Sequence, residues 1–165
     1  MVTASGAAGA MLKGVFAAAA RLRPTEKPLH PRGQLVRGTI HRTGLEPGTG
    51  VPWIDEAGTD DVQVRLSRAI GLPSGWPDIF GLTIRVPTGT GGHGDLLLAS
   101  TGRTAVGRFV LLPGREPTDA TYSSLIPYRT TSGPLLLAAH ATGDRTLDLA
   151  CARLGGAWRS FGQLV

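Results

Sequence analysis

Two stretches of strict period-two alternation limit the folds open to this chain more than anything else in it. In "DVQVRLSR" Val62, Val64 and Leu66 alternate with Gln63, Arg65 and Ser67, and in "FGLTIRVP" Phe80, Leu82, Ile84 and Val86 alternate with Gly81, Thr83 and Arg85. Successive side chains of a strand point to opposite faces, so each stretch is a half-buried strand with one apolar and one polar face. Further apolar runs broken by Gly and Pro lie at 33–40, 95–100, 106–112, 121–129, 134–141, 146–154 and 157–165, which makes nine short strands. The longest break among them, from His41 to Asp60, is a polar loop, and no connection is long enough for repeated helical crossovers. The expected fold class is therefore all-β, a mainly antiparallel barrel, because a closed sheet leaves no edge.

One helix is expected ahead of the barrel. Met11, Val15, Ala18, Ala19 and Leu22 share a helical face, and Pro24 ends it. The chain thus divides into an N-terminal helix and basic segment over 1–24 and a barrel over 25–165. The last strand runs to Val165 with no turn or cap after it, which suggests a C-terminus shorter than the parent design. At 165 residues the chain can bury about two thirds of its unfolded surface without a staple. Its single cysteine, Cys151, excludes an internal disulfide and suits a reducing, cytoplasmic setting; the residue reads as buried and inert. Lys13 interrupts the first apolar run, which is too short to span a membrane and lacks a charged leader.

The net charge of +5 raises nucleic acid as a partner, and its distribution argues against one. Six cations (Lys13, Arg21, Arg23, Lys27, Arg32 and Arg37) face Glu26 alone in the first 38 residues, whereas the remaining 11 arginines face 11 acids. Aromatic residues make up 5% of the chain, and no zinc-finger, helix-turn-helix or RNA-binding aromatic pattern accompanies the charge. No nucleic acid and no membrane partner is expected. A small molecule of unknown identity is, and a homodimer is expected if the final strand's edge is bare.

The most constrained histidine stands in "KPLHPRGQ". Pro28 and Pro31 hold their own φ and push Lys27 and His30 towards extended backbone, placing His30 at the mouth of a strand. Arg65 and Ser67, two apart, share a face of their strand. If that strand neighbours the one His30 enters, the Ser67 hydroxyl can fix one ring nitrogen and leave the other facing a cavity, a proton relay in outline. Arg65 is equally suited to an ion pair with Asp78 or Asp95. His41, His93 and His140 lack metal-ligand spacing and read as loop or surface residues; Trp53, Trp76 and Trp158 read as anchors or loop plugs.

Three of these segments, taken in order, resemble the haem-dependent catalase family. "EKPLHPRGQLVRGTI" is similar to the stretch around the family's distal histidine. "VQVRLSRAIGLPSGWPDIFGLTIRV" looks like its Arg-Phe-Ser strand followed by Asp and Gly-Phe-Ala, and "GDLLLAS" resembles the Trp-Asp-Leu strand after it. The resemblance covers residues 25–100 and implies an eight-stranded antiparallel barrel. Carried over by position, it implies His30 as the distal acid and base and Ser67 as its orienting partner. Arg65 would lie against a haem propionate, Lys27 would stand where the family usually has another arginine that binds the cofactor, and Leu29 would lean on the porphyrin, with haem as the cofactor.

The departures from that pattern are equally specific. The chain contains no Asn, and Ala99 or Ser100 stands where the family has its distal amide. Tyr122 and Tyr128, in "YSSLIPYR", do not form the Arg-x-x-x-Tyr motif that supplies the family's iron ligand. The expectation is a catalase-related barrel that keeps a distal His/Ser/Arg wall, binds haem or another flat anionic ligand, and lacks efficient peroxide dismutation. A non-enzymatic interaction domain is the alternative. The sequence is also similar to small bacterial catalase-related proteins, some carrying a phosphodiesterase label, so phosphodiester hydrolysis is a third reading. Its support is thin, since Asp55, Glu56, Asp60 and Asp61 have no accompanying histidine.

Overall fold

A computed structural model describes residues 33–165 apart from residues 74, 90 and 144. The N-terminal helix over 1–24, and Lys27, Leu29 and His30, lie outside the described residues. Nine strands follow one another: β1 (Gly33–Arg42), β2 (Gly58–Arg68), β3 (Phe80–Pro87), β4 (His93–Ser100), β5 (Thr121–Ser123), β6 (Tyr128–Thr130), β7 (Gly133–Gly143), β8 (Thr146–Arg153) and β9 (Arg159–Leu164). A one-turn helix, α1 (Pro52–Asp55), interrupts the β1–β2 connection. All pairings are antiparallel, and the sheet closes through β5 on β7, giving an eight-stranded barrel. β6 takes the stretch of the β7 edge that β5 leaves over.

The alternation seen in the sequence sets which side faces in. Val62 and Val64 of β2 meet Leu82, Ile84 and Val86 of β3 in the interior, with Leu98, Leu137, Leu149, Phe161 and Tyr122 across the barrel. Among the described residues the count of nine strands holds, but two are not where the apolar runs place them. The run at 106–112 is no strand: it forms a 3-10 turn at Gly107–Phe109 and lies outside the barrel, leaving Val106, Val110 and Leu112 exposed. The run at 121–129 is split, because Leu125 at positive φ breaks it into β5 and β6.

One end of the barrel is plugged by the β1–β2 connection. Asp55 accepts bonds from Thr49 N, Thr49 Oγ1, Gly50 N and Val51 N at 2.6, 2.8, 2.8 and 3.1 Å, which folds the loop back on α1. Arg42 is paired with Asp60 at 2.7 Å and donates to the carbonyls of Trp53 and Glu56. Trp53 donates to the same carboxylate at 3.0 Å and packs edge-on against Phe161. Trp53 is thus the anchor its sequence context suggests. Where β9 crosses β1, a Cβ at Gly162 would come within 2.7 Å of the His41 carbonyl, so only glycine fits.

The outer face of β7 and β8 is covered too, which corrects the expectation of a surface His140. That ring is 4% exposed, packs edge-on against Trp158, and has no partner for either nitrogen among the described residues. Arg108, from the segment that is not a strand, stacks over the same indole with its Cζ 4.3 Å from the ring centroid. The Arg108 carbonyl accepts from Ser123 Oγ, which ties the segment to β5. Loss of water around His140, and the Arg103 guanidinium, hold its pKa below the ordinary 6.5 against the opposing pull of Asp148. The unfolded chain therefore takes up this proton before the folded one does, so stability is present above about pH 6.5 and declines below it. Urea midpoints between about pH 7.5 and 5 should show this decline, and His140→Phe should flatten it; an unchanged slope would remove His140 as its source.

Candidate functional site

The β1–β2 ladder aligns Gly33 with Ser67 and Leu35 with Arg65. The strand that His30 precedes is therefore the direct neighbour of the strand bearing Arg65 and Ser67. Both side chains lie on the outer face, away from the core formed by Val62 and Val64. Continuing across the sheet, Ser67 aligns with Gly81 and Gly81 with Ala99, while Arg65 aligns with Thr83 and Thr83 with Leu97. The result is a floor of four small residues (Gly33, Ser67, Gly81 and Ala99) beside a row made by Leu35, Arg65, Thr83 and Leu97.

The side chains on this face are held from within the protein. Ser67 is buried, and its hydroxyl donates to the Gly81 carbonyl at 3.3 Å, so it is fixed towards β3. Arg65 lies along the floor: a Cβ at Gly33 would meet its Nε at 2.8 Å and its Cζ at 2.9 Å. Glycine at 33 is what lets the guanidinium lie flat there. Leu97, exposed on the same face, donates its backbone N–H to Tyr128 Oη at 3.0 Å.

The floor ends at the β2–β3 loop, which is organised by Asp78, a residue that stands out in the sequence only through a motif match. Asp78 is fully buried and accepts from the backbone N–H groups of Ile70, Gly71 and Leu72 at 2.9, 2.8 and 3.1 Å. Its own backbone exchanges two bonds with Gly114. Arg68, not Arg65, is its ion-pair partner at 3.5 Å, and Arg85, not Arg65, takes Asp95 at 2.9 Å. The reason is register: Asp95 aligns with Arg85, one strand away from Arg65, and Arg68 is the arginine at the loop itself. Trp76 does not plug this loop, being 63% exposed; it contributes its carbonyl to Arg68 Nη2 at 2.8 Å.

Neither tyrosine offers an anionic ligand to this face. Tyr122 belongs to the interior, its hydroxyl donates to the Pro117 carbonyl at 2.8 Å, and burial raises its pKa well above the usual phenol range. Tyr128 is already an acceptor for β4. Among the described residues no three His, Cys, Asp or Glu side chains are grouped to hold a metal ion. Cys151 is buried, which raises its pKa to about 11. No helix among the described residues is long and apolar enough to cross a membrane.

The closed antiparallel ring of eight strands is a catalase-like barrel. A solved structure titled as that of a bacterial catalase matches the whole of this chain with a TM-score of 0.54 at 11% sequence identity. The chain spans 52% of that catalase, about half of its length. No protein-family model and no curated protein matches the sequence. The shared property is the fold.

Two features of the site are invisible in the sequence. The alignment of Ser67, Gly81 and Ala99 into one row depends on strand register across three strands. The flat placement of Arg65 depends on the absence of a side chain at Gly33, 32 residues away in the chain.

Proposed function

We propose that the outer face of β1–β4 is a binding wall for a flat, anionic, haem-like ligand, and that the protein works as a binding domain and not as a peroxide-dismutating enzyme. The observation that carries this reading is the row Gly33, Ser67, Gly81 and Ala99 with the Arg65 guanidinium against its Gly33 end. Ser67 and Gly81 are buried in this row, so a planar ring would pack on the exposed Leu35 and Leu97 beside it, with the small residues keeping that part of the face low. Arg65 would face a carboxylate of the ligand, a pairing its planar donors favour. His30, Lys27 and Leu29 enter the same reading through the chain order that puts them just before β1.

The residues suit the face of a haem better than its iron. Haem supplies redox chemistry at an axially ligated metal, and an anionic oxygen ligand is what tunes it for peroxide. Tyr122 and Tyr128 are each bound within the chain, so neither is free to serve as that ligand. Turnover of peroxide is accordingly expected to be no faster than that of free haemin.

A haemin titration followed by absorbance in the Soret region tests the reading. A saturable shift at one equivalent is expected. Arg65→Ala should weaken it by about tenfold, the loss of one charge-assisted bond. Gly81→Leu, which puts a side chain at a buried position in the middle of the row, should abolish it in protein whose circular dichroism shows that it is folded. His30→Ala should weaken it if the segment before β1 contributes. A response that never saturates, or that is the same in all four proteins, would sink the proposal.

A further inference from the structure

We propose that Arg108, His140 and Thr101 form a buried site for a small oxyanion, phosphate or sulfate, between the barrel and the segment of residues 101–112 outside it. The three residues are 3%, 4% and 5% exposed. Arg108 Nη1, both ring nitrogens of His140 and Thr101 Oγ1 have no hydrogen-bond partner among the described residues. Elsewhere among those residues the same condition is met only by Arg68 Nε, which has the Asp78 carboxylate at 3.5 Å. Buried polar groups are normally paired, and a buried charge left uncompensated is among the costliest defects a fold can carry. The ion pairs of the described residues, Arg42–Asp60, Arg68–Asp78 and Arg85–Asp95, leave Arg108 without a carboxylate.

Strand register brings these groups to one place. Ser100 aligns with Tyr122, and Tyr122 with Ala139; Tyr122 and Ala139 belong to the core. Thr101, Thr121 and His140, their neighbours in the same direction along the row, therefore face outwards. Thr101 donates its N–H to the Thr121 carbonyl at 2.8 Å and Thr121 aligns with His140, so the three stand side by side, about 10 Å from end to end. Arg108 reaches this row from outside: Ser123 Oγ holds its carbonyl, and its guanidinium and the His140 ring contact the same Trp158 indole. Its Nε lies 3.5 Å from the Thr104 carbonyl, which leaves Nη1 for a ligand. A guanidinium edge, a hydroxyl and an imidazole N–H are three donors around one space. Water would meet their hydrogen bonds but not the charge, whereas an oxyanion meets both. The charged neighbours agree with that choice. Arg103, whose carbonyl accepts from Trp158 Nε1 at 3.3 Å, adds a second cation to the field at His140. Asp148 aligns with His140 and opposes that field, and its carboxylate is engaged by Ser160 Oγ.

For the test the full chain is unfolded in urea, desalted and refolded, which removes any anion already held. Sodium phosphate and sodium sulfate are then titrated separately, with sodium chloride at equal ionic strength as the control. At least one of the two oxyanions should move the His140 ring and Trp158 indole N–H resonances saturably, with a single dissociation constant, and raise the thermal midpoint, whereas chloride should do neither. Arg108→Gln should weaken that binding by about tenfold or more, the loss of a charge-assisted bond, and Thr101→Val, which keeps the shape of the side chain, by a smaller factor. If Arg108→Gln does not fold, the resonances of the unaltered chain and of Thr101→Val still decide. Resonances that ignore both oxyanions, that follow chloride equally, or that respond identically in Thr101→Val and the unaltered chain would overturn the proposal. A rise in thermal midpoint with those resonances unmoved would do the same, by placing the anion elsewhere, as on the wall that bears Arg65.

Discussion

Asp78→Ala is expected to destabilise the protein by about 3–5 kcal/mol, lowering the thermal midpoint by about 10 °C or more. The carboxylate is fully buried and takes three backbone N–H donors from Ile70–Leu72 as well as the Arg68 guanidinium. Alanine would leave all three donors without an acceptor and Arg68 without its counter-charge. Asp78→Asn should cost less, because the amide oxygen still accepts while its nitrogen meets donors. Denaturant unfolding of the two variants checks the order. A loss below about 1 kcal/mol for Asp78→Ala would mean that water replaces the carboxylate and that the loop is not organised by it.

Phe161→Ala should have an effect of similar size at the other end of the barrel, about 3–5 kcal/mol. The ring is 1% exposed and lies edge-on to Trp53 with centroids 5.7 Å apart, so its removal opens a cavity beneath the plug. Trp53 fluorescence in the folded state should shift as its neighbour is lost. Phe161 sits near Arg42 and the start of β2, whereas Asp78 sits beyond its end, so the two sites are separated by most of that 11-residue strand. At that spacing, roughly 30 Å, their effects should add to within about 0.5 kcal/mol. A clear departure from additivity would show that the two ends of the barrel are mechanically coupled.

The strands built on alternation are legible because the information is local. Val62, Val64, Leu82 and Ile84 declare a face through period two, and the barrel puts that face inward. Runs without alternation mislead. "VGRFVLL" is as apolar as a strand, yet Gly102 and Gly107 approach so closely that a Cβ on Gly102 would meet Gly107 Cα at 3.1 Å, and the segment turns over the outside instead. The burial of His140 is hidden from the sequence for a related reason. It involves Trp158, 18 residues away in the chain, whose indole is itself held under Arg108, 50 residues before it.

The candidate site divides along the same line. That Arg65 and Ser67 share a face follows from their spacing of two, and that β1 and β2 are neighbours follows from their succession, so both can be read from the chain. The ion-pair partners cannot. Arg65, Arg68 and Arg85 are chemically equivalent candidates for Asp78 and Asp95, and only the register of β2, β3 and β4 assigns Arg68 to one and Arg85 to the other. The flat floor is likewise a product of register. Periodicity and turn residues act over a few positions and settle what each segment is. Which segments meet, and which stay uncovered, depends on contacts between residues far apart in the chain, whose alignment is set by closure of the whole barrel.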